Sequence, residues 1–562
     1  MGKIASKYCK KVFVTDDNPR KENPKNIRDS IIKGCKNIAT NIGNRKKAIK
    51  TAINELSSNQ ILLVAGKGHE ETQDFGSKVI NFSDKKIIKK IIKKNFFLSS
   101  NNLKDFILNK ALNKKNLKNI NYDGVSINTK NIKKNNLFFA IKGKKIDGHD
   151  FSKEAIKKGA IKLITSKKIK HIGKNKYIKV KNTLLCLNSL AKITRAYSSA
   201  TIVGITGSVG KTTLKNLISF SLKNYGKTYH SPYSYNNKFG VPLSVSNLKK
   251  DTNYGVFEIG MDKKGEIDAL SKIVKPDLGI INNISPAHFK NFNTLKDIAK
   301  AKSEIINNIV RGGDIILNKD SNFFNFLFNK AKKNGLNIIS FSHKKKSDVS
   351  LLGYQKLKKK YKLKIKVKNK IFYFNTKYIT ESFISNILAC ISVLYVLNLN
   401  LKKMEKKFIN FTIPEGRGDL HLIKRYNKKF KLIDESYNAN PLSMFSAIKN
   451  MSFYKINKRN KKLAFLGDML ELGKKSKKYH RDLSGIINKS DINKAFVYGK
   501  YIKETFNYLH SSKKGKVFNS LKEANNHFNK ILNNNDLLMI KGSNATGLNN
   551  FAKSLKKGQT IV

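Results

Sequence analysis

Tryptophan is absent from this chain of 562 residues, and arginine nearly so: nine arginines stand among 113 Lys+Arg, against 38 Asp+Glu. A formal net charge of +75 would ordinarily point to nucleic acid. Here it does not. The lysines are spread over the whole chain rather than gathered in a stripe, and they come with abundant asparagine and isoleucine, the pattern of an AT-rich coding sequence. The lysines are read as solvated side chains, and no nucleic-acid partner is expected.

Cysteine is scarce as well. Cys9, Cys35, Cys186 and Cys390 lie far apart with no CxxC, so neither a zinc site nor a disulfide framework is suggested. No long apolar run and no signal peptide are present. A cytoplasmic protein without stable membrane insertion is expected. One basic amphipathic stretch, SDKKIIKKIIKK (83–94), puts Ile87, Ile88, Ile91 and Ile92 on one helix face. Packing on its own domain is preferred to a membrane surface.

Hydrophobic residues make up 40% of the chain, enough for three or four domain cores. Short β-rich runs that end in polar or glycine-rich loops recur from VFVTDDNPR (12–20) and ILLVAGKGHE (61–70) to KLIDESYNANP (431–441) and LLMIKGSNA (537–545). Helical patterns separate them, which is the α/β arrangement of parallel sheets. Ligands in such sheets bind outside the carboxyl ends of the strands, and the unusual polar clusters fall there.

The most informative of these ends is GITGSVGKTTL (204–214). Glycines let the backbone approach an anion closely. The amide groups and the positive end of the next helix then face phosphate. Gly207, Ser208 and Gly210 form the loop with Thr213 just beyond it, Lys211 would reach the β- and γ-phosphates, and Thr212 would hold Mg²⁺. The spacing is one residue longer than the usual phosphate loop, since Gly204 and Gly210 enclose five residues. Glu258 ends another β-rich run, where its carboxylate suits a hard cation.

Taken together the motifs resemble the Mur ligases, ATP-dependent amide-forming enzymes of peptidoglycan synthesis. GVSINTKNIKKNNLFFAIKGKKIDGHDF, GITGSVGKTT, NNKFGVPL, FEIGMDKKGEI, NISPAHFKNF, IAKAKSEII, LNKD, GRGD, DESYNANP and LGDMLELG carry the resemblance in order over residues 97–562. It implies a ligase that joins D-Ala-D-Ala to UDP-MurNAc-tripeptide through an acyl phosphate, with ATP and Mg²⁺, acting as a monomer. It also implies a three-domain α/β fold with a phosphate-loop central domain, preceded here by an extra α/β domain of the family's C-terminal type. The expected divisions are residues 1–94, a linker at 95–105, a UDP-sugar-binding domain at 106–195, the ATP-binding domain at 196–410 and a last ligase domain at 411–562.

The resemblance assigns roles residue by residue. Lys211 and Glu258 would act at the phosphates and Mg²⁺. His288 would help hold a second Mg²⁺, and Lys302 would be carbamylated and so become an anionic metal ligand. Asn318 and Asn386 would lie near the adenine, Arg417 near the phosphates and Asp434 near the ribose. Ser126, Thr129, Asn236, Asn237, Asn438 and Asn440 would face the substrates. The chain departs from the family at Asn128-Thr129-Lys130, at ESFISN, where a histidine is expected, and at Asn544.

Residues 1–94 resemble the C-terminal domain of a second member of the family, the one that adds meso-diaminopimelate. Asn18, Arg20, Gly66 and Glu70 would grip that amino acid. No phosphate loop accompanies them, so this module is expected not to catalyse diaminopimelate addition by itself. The alternatives are another amide ligase of the same superfamily, such as a folylpolyglutamate synthase, a fusion that also takes part in diaminopimelate addition, or a basic nucleic-acid-associated ATPase.

Overall fold

The computed structural model describes residues 1–562 except 36, 58–59, 69, 100–102, 115–116, 118–119, 287–290, 359 and 558–562. The chain divides into two compact units: residues 1–121 with 196–199, and residues 122–195 with 200–562.

The first unit is small in sheet and rich in helix. Val12–Val14 pairs in parallel with Ala39–Asn41, and Thr72–Asp74 pairs antiparallel with Val79–Asn81. Helices Pro24–Lys33 and Arg45–Glu55 begin at asparagine caps, Asn23 and Asn44, whose side chains accept backbone N–H groups. One expectation is corrected here. The strand expected in ILLVAGKGHE does not form, and Ile61 and Leu63 are 95% and 79% exposed. The helix expected at 83–94 runs from Asp84 to Ser99 and another spans Leu103–Leu112, so residues 95–99 and 103–105 of the expected linker are helical. Asp84, in the first turn, is held by the buried guanidinium of Arg45 at 2.6 and 2.8 Å. The basic amphipathic helix is thus tied to its own unit, and no helix among the described residues is long and apolar enough to cross a membrane.

The second unit holds three sheets. A four-stranded parallel sheet runs Gly124–Ser126, Asn136–Phe139, Ala160–Thr165, Tyr177–Lys179 in chain order. The central sheet contains β1 (Thr201–Thr206), β2 (Thr228–His230), β3 (Tyr254–Glu258), β4 (Leu278–Ile281), β5 (Asp314–Asn318), β6 (Asn337–Ser342), β7 (Val349–Lys356), β8 (Tyr361–Val367) and β9 (Lys370–Thr376). Its order is β2-β3-β1-β4-β5-β6-β7-β8-β9, parallel as far as β7 and antiparallel beyond. The third sheet contains β10 (Asp419–Arg425), β11 (Lys428–Glu435), β12 (Lys462–Gly467), β13 (Lys494–Tyr498), β14 (Lys514–Phe518) and β15 (Leu537–Lys541), ordered β10-β11-β15-β12-β13-β14.

The central strands are apolar on both faces because helices cover both. Val203 and Ile205 of β1 enter one core with Leu214, Leu217 and Ile218 of α1 (Lys211–Leu222) and Ile387 and Ile391 of α2 (Glu381–Val396). Ile202, one residue before Val203 on the strand, enters the opposite core. With both faces covered, a cavity opens at the carboxyl ends of these strands.

Candidate active site

The phosphate loop follows β1. Gly210 takes φ 79°, and α1 starts at the next residue. A Cβ at Gly210 would stand 3.2 Å from Nδ2 of Asn282, so both backbone and space call for glycine. Asn283 shapes the loop from the end of β4: its Oδ1 accepts the N–H groups of Ser208 and Val209 at 3.0 and 2.8 Å. Ser208 closes the other side by exchanging hydrogen bonds with the backbone of Ser285.

Lys211 opens α1 and donates to the carbonyl of Gly207 at 2.8 Å. Burial pushes its ammonium below the ordinary lysine value; Glu258 opposes this and Arg417 adds to it. Thr212 Oγ1 donates to Glu258 Oε2 at 2.8 Å and lies 3.1 Å from Ser234 Oγ. Asn236 donates to the other oxygen of Glu258 at 2.7 Å. The donors here are hard oxygens: one carboxylate and two hydroxyls. Among the described residues no three His, Cys, Asp or Glu side chains gather as a metal cage. This is the donor set Mg²⁺ takes when substrate phosphates and water complete its shell, so the residues fit that ion.

Arg417 reaches this cluster from the loop before β10. Its Nη2 donates to Ser234 Oγ at 3.1 Å, and its guanidinium stacks 4.2 Å over Tyr437. Asp419 fastens the loop by accepting the N–H groups of Gly416 and Arg417. The segment carrying Ser234 is anchored from beneath by Lys215, one turn after Lys211, which is 1% exposed and donates to the carbonyls of Ser231 and Tyr233. Burial holds Lys215 down to about 8.

A cavity of about 440 Å³ joins these pieces. Ser208, Gly210, Lys211, Thr212, Thr213, Glu258 and Asn236 line it, together with Asn318 and Asn386 and with Arg417, Asn438 and Asn440. Thus most of the expected phosphate, cation and adenine residues converge, although the residues named are drawn from seven separate segments. Asn440 also caps the helix Pro441–Asn450.

Other expected residues stand elsewhere. Asp434 does not line the cavity: its strand neighbours Ile433 and Glu435 do, and alternation turns Asp434 away. Its carboxylate binds Lys556 at 2.6 Å and the N–H and hydroxyl of Ser436. Burial lowers the Lys556 ammonium, but Asp434 and Glu415 outweigh it and raise the group above its ordinary value. Asn237 accepts the N–H groups of Phe239 and Gly240. Ser126 and Thr129 are buried outside the cavity, Ser126 closing a turn onto Asn128. Their loop touches the central domain where Asn131 reaches Tyr235 at 3.4 Å. His288 lies outside the described residues. Lys302 ends the helix Leu295–Lys302 and is 2% exposed. Burial, then the charge of Lys211, holds it well below the ordinary lysine value, and no carboxylate pairs with it among the described residues.

In the first unit, Asn18 and Glu70 do meet, at 2.7 Å. Buried Lys67 joins them, reaching Asn18 Oδ1 at 3.0 Å, Asp17 at 3.2 Å and Glu70 at 3.5 Å. Gly66 takes φ 112°, and a Cβ there would meet Asp17 at 2.7 Å. Arg20 is exposed, and its N–H donates to Asp74 O. The same device recurs in the second unit, where buried Lys541 reaches Glu435 at 3.1 Å and the carbonyl of Asn438 at 3.2 Å. Sequence reasoning singled out neither lysine, nor Ser234, Asn282, Asn283, Asp320 or His343. Apart from Lys67, which no strand precedes directly among the described residues, their common signal was position at the carboxyl end of a strand or just beyond it.

Three family models match the chain: Mur ligase family, catalytic domain, over residues 121–194; Mur ligase middle domain over 205–394; and Mur ligase, glutamate ligase domain, over both 1–68 and 420–544. The chain is 36% identical over 448 residues to the UDP-N-acetylmuramoyl-tripeptide–D-alanyl-D-alanine ligase of Buchnera aphidicola subsp. Baizongia pistaciae, covering 78% of this chain and 94% of that protein. It is 32% identical over 430 residues to the ligase of the same name from Rickettsia prowazekii, covering 76% and 94%. The crystal structure of MurF from Acinetobacter baumannii shares its fold with a TM-score of 0.70 at 24% identity, over 80% of this chain and 98% of that one. Family models, relatives matched over nearly their full length and a shared fold agree: the chain belongs to the Mur ligase family.

Proposed function

We propose that this chain catalyses the ATP-dependent addition of D-Ala-D-Ala to UDP-MurNAc-tripeptide, giving UDP-MurNAc-pentapeptide, ADP and phosphate. One observation carries the reading: a phosphate loop with its Thr212–Glu258 couple shares one cavity with Arg417, Asn438 and Asn440 of the last domain. An amide-forming ligase needs both sets of residues together, one to deliver a phosphoryl group to the tripeptide carboxylate and one to hold the amine that attacks the acyl phosphate.

The residues divide the work between positioning and charge. The loop amides and Lys211 hold the phosphates, and Arg417 adds a planar cation where negative charge accumulates during transfer. Mg²⁺, held by Thr212 and Glu258, would neutralise charge on the transferring phosphoryl group. Glu258 is kept in place by Asn236 and Thr212. Asn438 and Asn440 offer amide groups to the peptide reactants. Lys302, buried and short of counter-charge, is the amine suited to add CO₂: its neutral nitrogen forms the N–C bond, and one proton leaves to solvent. The carbamate so formed would be a further oxygen ligand. The reaction is assigned to the cytoplasm.

The tripeptide is proposed to carry meso-diaminopimelate. This rests on Asn18-Pro19-Arg20 in the first unit and assumes that both units serve one pathway. Turnover of ATP is the test of the function: release of ADP should require UDP-MurNAc-tripeptide together with D-Ala-D-Ala. Stimulation by nucleic acid instead, or indifference to the dipeptide, would refute the reading. Competition between nucleotides bearing diaminopimelate and L-lysine tests the third residue.

A further inference from the structure

The order of strands fixes which way a nucleotide lies. Thr212 lies in the first turn of the helix after β1 and Glu258 closes β3, its neighbour on one side. The cation and terminal phosphate therefore belong at the β1–β3 edge of the loop. The nucleoside is left the other direction, past the ends of β4, β5 and β6.

A polar wall runs that way. Asn282, after β4, donates to the carbonyl of Val209 at 3.3 Å and to Asn386 at 3.1 Å. Asn318, ending β5, donates to the carbonyl of Asn282 at 3.1 Å. Asp320 N–H donates back to Asn318 Oδ1 at 2.9 Å, and the N–H of His343, just after β6, donates to Asp320 Oδ2 at 2.9 Å. All five of these side chains line the cavity. At about 4.8 Å per strand, His343 stands roughly 14 Å from the phosphate loop, at the far end of the wall.

His343 is placed strangely for a residue with only structural duties. Its Nδ1 lies 2.9 Å from Asp320 Oδ2, yet neither ring nitrogen makes a well-aligned hydrogen bond among the described residues. Both nitrogens are buried although the residue lines the cavity, so the surface it presents there is ring carbon. A carboxylate that steers a ring without tying it, with an aromatic edge turned to a polar cleft, suits a flat apolar ligand group. Aromatic rings bind bases by stacking, whatever the base.

We propose that His343, steered by Asp320, is the surface against which the base of the bound nucleotide packs. The proposal rests on the nucleotide-binding reading of the phosphate loop. The test is calorimetric titration of the full chain in Mg²⁺ with ADP and, separately, with inorganic tripolyphosphate, which has phosphates but no base. His343→Ala and His343→Gln should each weaken ADP about 10-fold, the scale of one lost stacking contact, and leave tripolyphosphate unchanged. His343→Phe should bind ADP like the wild type. In turnover, KM for ATP should rise with kcat and the other KM values unaltered. Unchanged ADP affinity in either folded variant, or equal weakening of ADP and tripolyphosphate, would overturn the proposal. So would a phenylalanine variant as weak as the alanine one. If the wild-type chain binds neither ligand, the phosphate-loop reading falls and this proposal with it, an outcome the variant comparisons cannot mimic.

Discussion

Thr212 Oγ1 and Glu258 Oε2 stand 2.8 Å apart, so the first turn of α1 and the end of β3 share one hydrogen bond across adjacent strands. Neither residue alone would mark a cation site. Their junction, with Asn236 on the second carboxylate oxygen, converts a glycine loop into a site for phosphate and metal together.

Lys211→Ala should cost at least ~10² in the rate of pentapeptide formation, the scale of losing one preorganised charge. The fold should survive, because among the described residues the Lys211 ammonium bonds its own loop at Gly207. Rate measurements at saturating ATP check this; near-normal ligation by a folded variant would remove the loop from the mechanism.

Lys302→Ala should be almost inactive, and short-chain carboxylic acids should restore part of the activity by supplying the missing oxygens. Lys302→Met, which keeps the apolar stem in the buried site, should be equally inactive and respond to the same acids less well for want of room. Activity assays with and without acetate decide this. Full activity of either variant would leave Lys302 as packing only.

Asp320 is held down to about 2: burial raises it, but His343, Ser342 and the His343 N–H outweigh burial. The carboxyl is thus more acidic folded than unfolded. Its contribution is present above the unfolded value of 3.8 and is lost as pH falls from about 4 towards 2. Asp320→Asn should cost about 2 kcal/mol at most at pH 7 and almost nothing near pH 2. Urea unfolding of both proteins at several pH values measures the difference, and a pH-independent gap would contradict it.

A chain beginning near residue 97 should keep full dipeptide-adding activity, since Asn18, Lys67 and Glu70 bond one another and none of them lines the cavity. The full chain should not convert UDP-MurNAc-dipeptide and diaminopimelate to tripeptide, because its phosphate loop serves the other reaction. Product analysis with both substrate pairs tests each half, and tripeptide synthesis by the full chain would assign the first unit a working role.

Much of the site was legible because its chemistry is local. A strand, a glycine turn and Gly-Lys-Thr-Thr lie within a dozen residues, and Glu258, Asn318 and Arg417 sit in short motifs at strand ends. Asp434 was misplaced for a reason equally local: strand alternation decides which of Ile433, Asp434 and Glu435 faces the cleft, and one residue of register reverses the answer. Lys541 was illegible because its partners, Glu435 and Asn438, are about a hundred residues away and their meeting depends on β11 and β15 being neighbours. His343 was missed because no motif surrounds it; only the sheet order carries the polar wall to it.

The same dependence on neighbours explains residues 61–64. LLMIK in β15 lies between β11 and β12, and the matching ILLVA run of the first unit belongs to a second copy of the same family domain. No strand flanks it among the described residues, and Ile61 and Leu63 face water. Such a run is a template for another chain's backbone. The consequence is colloidal rather than catalytic. At low salt the large positive charge keeps molecules apart; as salt screens that repulsion, clumping should begin at this run, so that shelf life in concentrated stocks is set by a few residues far from any chemistry.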